Sequence, residues 1–214
     1  MVAEENPPPT DGMAEFPFFG LLALEVDLEE MIEALSKRTL GHHPTFVGDG
    51  GLRTLPESFG NLTQLESLTL DGNRLTEIPS GIFKLKNLVS LDLYSNLITH
   101  ISPEIGHLTS LRYLKLTRNN FHVLPDEIGH LKNLQRLRLD YLDLWALPKG
   151  IGGLSSLEML EVCHGRLGDI PAEIQHLKNL KWIYLINTEI SEIDLNALKV
   201  FAPQAEIALE MNWE

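Results

Sequence analysis

A phrase of the form Leu/Ile-Pro-x-x-Ile-Gly-x-Leu-x-x-Leu-x-x-Leu-x-Leu-x-x-Asn-x-Leu recurs along this chain with one constant period of 23 residues. A constant period of this length predicts a stacked solenoid, in which each coil buries its apolar residues against the neighbouring coils. It argues against a globular core around a buried catalytic cleft and favours a binding function. The first residues of the phrase are Leu55, Ile78, Ile101, Leu124, Leu147, Ile170 and Ile193.

Each unit combines a short strand with a return segment. In the first unit, Leu68 and Leu70 alternate with the period of two that is typical of a strand. Pro56 begins the return without an amide donor, and Phe59 and Leu62 follow at the spacing of a loose helical or 3₁₀ turn. The pattern predicts one right-handed α/β solenoid with stacked parallel strands and columns of buried leucines. The strand phrases lie at 65–75, 88–98, 111–121, 134–144, 157–167 and 180–190.

The two ends depart from the repeat. Residues 1–15 are rich in Pro and Glu without an apolar period, and we expect a disordered tail. Residues 16–54 are interpreted as an N-terminal cap, with a helix over 28–38 and a degenerate repeat in which Val47 aligns with Leu70. The full repeats occupy 55–192. Residues 193–214 are interpreted as a C-terminal cap, with a last strand at 205–209 that is shifted in register.

The segment from Leu65 to Leu75, Leu-Glu-Ser-Leu-Thr-Leu-Asp-Gly-Asn-Arg-Leu, resembles the leucine-rich repeat phrase at every position. The return segment from Leu124 to Leu131 resembles the 23-residue class found in Ras-group-related plant intracellular proteins and many bacterial proteins. The resemblance implies a curved solenoid with a parallel sheet on its concave side and a role in protein recognition. It also implies a ladder of buried asparagines. Asn73, Asn96 and Asn119 fit this ladder, whereas Leu142, Gly165 and Thr188 depart from it.

Composition indicates the cellular compartment of the protein and the classes of partner that it can bind. The chain has 17 basic and 30 acidic residues, a net charge of −13, which disfavours nonspecific binding to nucleic acid or to an anionic membrane. Cys163 is the single cysteine, so an intrachain disulfide is excluded and a reducing compartment is favoured. The first residues lack the basic start of a secretory signal, and no stretch is long enough to cross a bilayer. We therefore expect a cytoplasmic monomer.

The outward positions of the strands are the candidate binding residues, because alternate side chains of a strand face opposite sides of a sheet. Lys115, Arg136 and Arg138 form a basic centre. It could dock an acidic partner segment, or it could be neutralised by Asp92 and Glu161 in neighbouring strands. An apolar cluster lies toward the C-terminal end and has the composition of a binding hot spot. The alternative is that the cap at 203–214, which includes Trp213, folds over part of this cluster. The predicted partner-binding residues are Tyr94, Tyr113, Lys115, Arg136, Arg138, Tyr141, Met159, Trp182, Tyr184 and Ile186.

No arrangement of residues in the sequence predicts catalysis, a metal site or a cofactor. Cys163 has no positioned base, and His107, His130 and His176 share one repeat position without converging as ligands. The main prediction is a non-enzymatic recognition or scaffold protein that binds another protein on its concave face. One alternative is a bacterial effector exported by a nonclassical route, with its signal in residues 1–15. The other is an enzyme that uses Cys163 or a histidine pair.

Overall fold

The computed structural model describes residues 15–18, 32–33, 45–48 and 51–210, and within these ranges the strands form one parallel sheet. The strands follow one another across the sheet in the order of the sequence, as expected for stacked coils. The strands are β1 (Glu15–Phe18), β2 (Thr45–Gly48), β3 (Ser67–Thr69), β4 (Ser90–Asp92), β5 (Tyr113–Lys115), β6 (Arg136–Arg138), β7 (Met159–Glu161), β8 (Trp182–Tyr184) and β9 (Glu206–Ala208).

Each return segment between β2 and β8 contains a short 3₁₀ helix on the convex side. A proline stands at the N-cap of five of these helices, and Pro103 occupies the first position of the other one, behind the capping residue Ser102. Proline suits these positions because the first amides of a helix have no partner within it. The predicted α/β solenoid with 3₁₀ return segments is confirmed. The 3₁₀ helices are η1 (Glu57–Asn61), η2 (Ser80–Lys84), η3 (Pro103–His107), η4 (Asp126–His130), η5 (Lys149–Gly153) and η6 (Ala172–His176).

The middle residue of each strand from β3 to β8 points into a continuous apolar core. Leu91, for example, lies opposite Leu114 in the register of β4 and β5. Truncating such a leucine would remove contacts on both sides of its coil, since every coil packs on two others. The predicted core column is confirmed, with all of its members at most 1% exposed: Leu68, Leu91, Leu114, Leu137, Leu160 and Ile183.

The asparagine ladder runs through the first three full coils and then stops. The side chain of Asn96 accepts a hydrogen bond from the Leu75 amide at 3.1 Å and donates to the Leu70 carbonyl at 2.8 Å. Asn119 repeats this pattern one coil later. Leu142 is buried at the equivalent position of the following coil, and its side chain has no atom that could form these hydrogen bonds.

The backbone is rearranged where the ladder stops. The Leu147 amide donates a hydrogen bond to the Asp169 carbonyl at 3.2 Å, and Ala146 forms an isolated parallel bridge with Asp169, contacts that the earlier described coils lack. Gly165 packs so closely on Leu142 that a Cβ atom at residue 165 would lie 2.5 Å from the Leu142 carbonyl oxygen. Altered backbone bonding therefore accompanies the loss of the asparagines.

The C-terminal end closes with a helix that the repeat pattern did not predict. This C-terminal helix, Glu192–Phe201, begins after Ser191, whose side chain accepts a hydrogen bond from the Asp194 amide at 3.1 Å. Ile193 is consequently 80% exposed and does not join the core column that its phrase suggests. The shifted last strand is confirmed as β9, since Trp182 pairs with Glu206, one position beyond the repeat spacing.

The N-terminal end is described only in part. Ile32 and Glu33 are helical and Ile32 is buried, whereas residues 1–14 of the predicted tail and the rest of the predicted helix at 28–38 lie outside the described residues. The alignment of Val47 with Leu70 is wrong by one position, because Val47 pairs with Thr69. The step from β2 to β3 is therefore one position shorter than the repeat, so the constant period fails before the first full coil.

Candidate partner-binding surface

The first and third residues of each central strand form two columns on the concave side of the sheet. The strands place equivalent residues side by side, about 4.8 Å apart. Every member of both columns is exposed or half-buried. The first column is Ser67, Ser90, Tyr113, Arg136, Met159 and Trp182, and the second is Thr69, Asp92, Lys115, Arg138, Glu161 and Tyr184.

Two of the three cations in the basic centre are paired with carboxylates in adjacent strands. The Lys115 ammonium lies 3.0 Å from the Asp92 carboxylate, and the Arg138 guanidinium lies 2.7 Å from Glu161. These are the two cross-strand pairs that the sequence allowed. Most of the charge at Lys115 and Arg138 is therefore compensated within the protein.

Arg136 is the exception in the basic centre. It forms no ion pair within the described part of the chain, and its guanidinium carbon lies 5.9 Å from the centre of the Tyr113 ring. Such an aromatic contact orients a guanidinium without neutralising its charge. The side chain is half-buried in the first column. Arg136 is thus the concave cation whose charge remains available to a partner.

A buried acid lies beneath the basic centre. The Asp140 side chain, 6% exposed, accepts a hydrogen bond from the Cys163 amide at 3.1 Å and one from the Thr117 hydroxyl at 3.4 Å. The Arg138 Nε atom lies 3.8 Å from an Asp140 oxygen. Arg138 therefore forms ion pairs with two carboxylates, Asp140 and Glu161. This network was not predicted from the sequence, although Asp140 stands one repeat from both Thr117 and Cys163.

The apolar cluster at the C-terminal end is smaller than predicted. Trp182 is 36% exposed, and Met159 and Tyr184 are half-buried on the sheet surface. Ile186, however, is only 6% exposed, so its inclusion in an exposed patch is wrong. The column that ends at Ile186 stands two residues beyond the end of each strand, outside the sheet. Its later members are all buried: Thr117, Asp140, Cys163 and Ile186.

Carboxylates surround the aromatic residues at this end. Burial raises the pKa of the Glu161 carboxyl, outweighing the lowering effect of Arg138. Burial also raises the pKa of the Tyr184 phenol, and the negative charges of Glu161 and Glu206 add to that shift. Glu206 was missed as a surface residue because the one-position shift of β9 places it beside Trp182. The C-terminal end of the concave face is therefore acidic and aromatic.

A row of stacked side chains follows the rim of the sheet, after the strands end. The Arg118 guanidinium lies 4.8 Å from the Tyr141 ring centre, and the Tyr141 ring stacks on His164 at 4.5 Å. Tyr94 lies nearer the sheet, with the Lys115 ammonium 4.5 Å from its ring centre. The predicted residues Tyr94 and Tyr141 therefore lie along the rim, beside the two concave columns rather than in them.

The structure does not bring the candidate catalytic and metal-binding residues, Cys163 and the histidines, together into one site. Burial raises the pKa of the Cys163 thiol to about 12, so the thiol is protonated at neutral pH and is a weak nucleophile. The imidazole of His164 stacks on Tyr141. His107, His130 and His176 each end a separate 3₁₀ helix, and no group of three or more possible metal ligands occurs within the described ranges.

Two family profiles match the sequence. A profile described as a leucine-rich repeat region matches residues 99–201, and a profile described as a leucine rich repeat matches residues 63–107. This chain belongs to the leucine-rich repeat family. None of the curated proteins compared with the chain matches it. No helix within the described ranges is long and apolar enough to cross a membrane.

Two solved structures illustrate the similarity. A leucine-rich repeat protein of Leptospira interrogans is 33% identical, with a TM-score of 0.63, over 85% of this chain and 51% of that one. The plant peptide hormone receptor RGFR1, in complex with RGF2, is 30% identical, with a TM-score of 0.53, over 78% of this chain and 32% of the receptor. This chain thus spans about half the length of the first protein and about a third of the second.

Proposed function

We propose that this chain is a protein-recognition module that binds a partner polypeptide on its concave face and performs no chemistry of its own. The observation that carries the proposal is the set of Tyr113, Trp182 and Tyr184 on the sheet surface, with the Arg136 guanidinium beside the Tyr113 ring. The fold does not require aromatic rings at these outward positions, where earlier coils carry Ser67, Ser90 and similar small residues. Rigid aromatic rings and arginine are the residues that dominate binding energy at protein interfaces.

The proposed footprint includes all the exposed members of the predicted set. Trp182 and Tyr184 would bury the most apolar area, with Met159 between them and the basic centre. Arg136 would supply charge and directed hydrogen bonds. Lys115 and Arg138 would contribute less, because binding an acidic group there competes with their own carboxylate partners. Tyr94 and Tyr141 would contact only a partner wide enough to reach the rim.

The experiment compares two tryptophans that differ in position. Affinity capture with intact protein, followed by mass spectrometry, identifies the partner, and calorimetry then measures its affinity for Trp182→Ala and Trp145→Ala. Trp145 is also exposed, but it lies on a loop beyond the sheet. We expect Trp182→Ala to weaken binding by roughly 2 kcal/mol or more, and Trp145→Ala to leave it unchanged. The reverse result would place the binding surface on the rim and contradict the concave assignment.

We further propose that the module acts as a monomer in the cytoplasm. The single cysteine supports this, since a buried free thiol suits a reducing compartment. Light scattering behind size exclusion tests the monomer, and a secretion assay of the intact chain against a variant lacking residues 1–15 tests the location. Export that depends on residues 1–15 would instead support the alternative of an effector that acts on host proteins.

A further inference from the structure

The concave face carries a cation without an ion pair, Arg136, on β6 and carboxylates on both sides of the aromatic residues of β8. We propose that the partner segment is an extended peptide with an acidic side chain opposite Arg136 and a basic side chain over Tyr184, between Glu161 and Glu206. This inference rests on the proposed concave-face function. It adds the chemistry of the partner, which a general recognition role leaves open.

The acidic side chain of the partner is assigned to Arg136 by elimination among the concave cations. Lys115 and Arg138 already contact carboxylates at 3.0 and 2.7 Å, and a new acid would have to displace them. Arg136 has no such contact among the described residues, and Tyr113 supports its guanidinium from one side. An incoming carboxylate therefore meets an oriented donor and displaces no carboxylate that the structure describes.

The basic side chain of the partner is assigned to the region around Tyr184. Asp140 and Glu161 are both ion-paired with the one guanidinium of Arg138, and Arg136 acts on Glu161 only as a neighbouring charge, so part of the negative charge there is left unpaired. Glu206 adds an exposed carboxylate, which forms no ion pair within the described ranges and acts on the Tyr184 phenol from the other side. A cation between Glu161 and Glu206 would pair with Glu206 and reduce the remaining negative charge around Glu161.

The aromatic rings at this end also favour a cation. The ammonium group of the chain's own Lys181 lies 5.7 Å from the Trp182 ring centre, so the ring already accepts a cation from one side. Lys181 is held there by Glu158 at 2.9 Å. A lysine or arginine of the partner would find a similar combination of ring and carboxylate at Trp182 and Glu206, which are paired residues of β8 and β9.

The strand geometry sets the spacing of the two charges in the partner. Arg136 lies on β6 and Tyr184 on β8, two strands away, which is about 10 Å at about 4.8 Å per strand. An extended peptide advances about 3.3 Å per residue. Arg136 and Tyr184 also stand in different columns, and side chains of an extended peptide face the same side only at an even spacing. A peptide that crosses the strands would therefore carry its acidic and basic residues about four positions apart, in either chain direction.

The test uses a phage-displayed library of random dodecapeptides, selected on the full chain. Enriched peptides are synthesised, and fluorescence polarisation measures their affinity for wild type, Arg136→Glu, Glu206→Lys and the control Lys149→Glu on the convex side. We expect an acidic and a basic residue about four positions apart in the enriched peptides. Each concave charge reversal should weaken binding about tenfold or more, and reversing the facing peptide charge should restore it. Lys149→Glu should have no effect.

The outcomes separate this inference from the function on which it rests. Peptides that lose affinity with Trp182→Ala but show no charge pattern, and no rescue by charge exchange, would overturn the charge inference and leave the concave function standing. Enriched peptides that bind Trp182→Ala and Arg136→Glu as tightly as wild type would overturn both. Circular dichroism and thermal melting of each variant show whether a loss of binding reflects a loss of structure.

Discussion

The Asp140 carboxylate accepts a hydrogen bond from the Cys163 amide at 3.1 Å, which joins two adjacent coils through a buried acid. This contact occurs where Leu142 has ended the asparagine ladder. The Thr117 hydroxyl donates to the same carboxylate, so Asp140 connects three successive coils. A buried polar side chain thus links the coils in the region where the amide ladder is missing.

Removing this acid should destabilise the middle of the solenoid. Asp140→Ala leaves the Cys163 amide and the Thr117 hydroxyl without their acceptor, and we expect a loss of roughly 1–3 kcal/mol in the free energy of unfolding. Asp140→Asn keeps one acceptor oxygen and should lose less. Urea unfolding monitored by circular dichroism measures both. Equal stability of Asp140→Ala and wild type would show that the bond between coils contributes nothing.

The convex side should be sensitive to a single methyl group at Gly150. A Cβ atom there would lie 2.0 Å from the Asp126 carbonyl oxygen, and a backbone atom cannot move aside cheaply. We expect Gly150→Ala to cost about 1–3 kcal/mol, because η4 and η5 would have to separate. The matched control is Gly168→Ala, whose nearest atom would be the Arg166 oxygen at 4.0 Å. Similar melting temperatures for the two variants would contradict the close approach of η4 and η5.

Glu161 should make stability depend on pH in a direction opposite to that of an exposed ion pair. Its pKa is raised above the ordinary value of 4.5, so from pH 4.5 up to the raised value the folded state binds more protons than the unfolded state. The contribution of Glu161 to stability therefore falls as pH rises through that window. Wild type should lose stability relative to Glu161→Gln between pH 4.5 and neutrality, as measured by urea midpoints. A relative gain would show that pairing with Arg138 outweighs burial.

Cys163 should be unreactive in the folded protein. Its thiol is buried and its pKa is raised to about 12, so little thiolate is present at neutral pH. We expect iodoacetamide to label it slowly in buffer and rapidly in a concentration of urea that unfolds the chain, with mass spectrometry as the readout. Rapid labelling of the native protein would revive the hypothesis of a thiol enzyme.

The 23-residue period predicted every strand from β3 to β8, and it left pairing of Lys115 and Arg138 with neighbouring carboxylates open as one of two alternatives, the one that the structure has. The same period did not predict the structure correctly at the two ends, where the chain leaves the repeat. It placed Val47 one position out of register and gave no sign of the C-terminal helix. The helix had a local signal that was not used, since Ser191 and Asp194 form the start of a capping pattern and Leu195 and Leu198 follow at helical spacing.

The sequence by itself determined the solenoid, because each leucine of the repeat needs only the equivalent residue of the next repeat to be buried. It also determined which strand residues face the concave surface, because side chains alternate along a strand. Only the tertiary structure decided that Ile186 is buried, that Arg138 is shared by Asp140 and Glu161, and that Glu206 lies beside Trp182. These outcomes depend on the path of the loops after the strands and on the register of the last strand. Packing between coils sets both, and a period within the chain does not encode them.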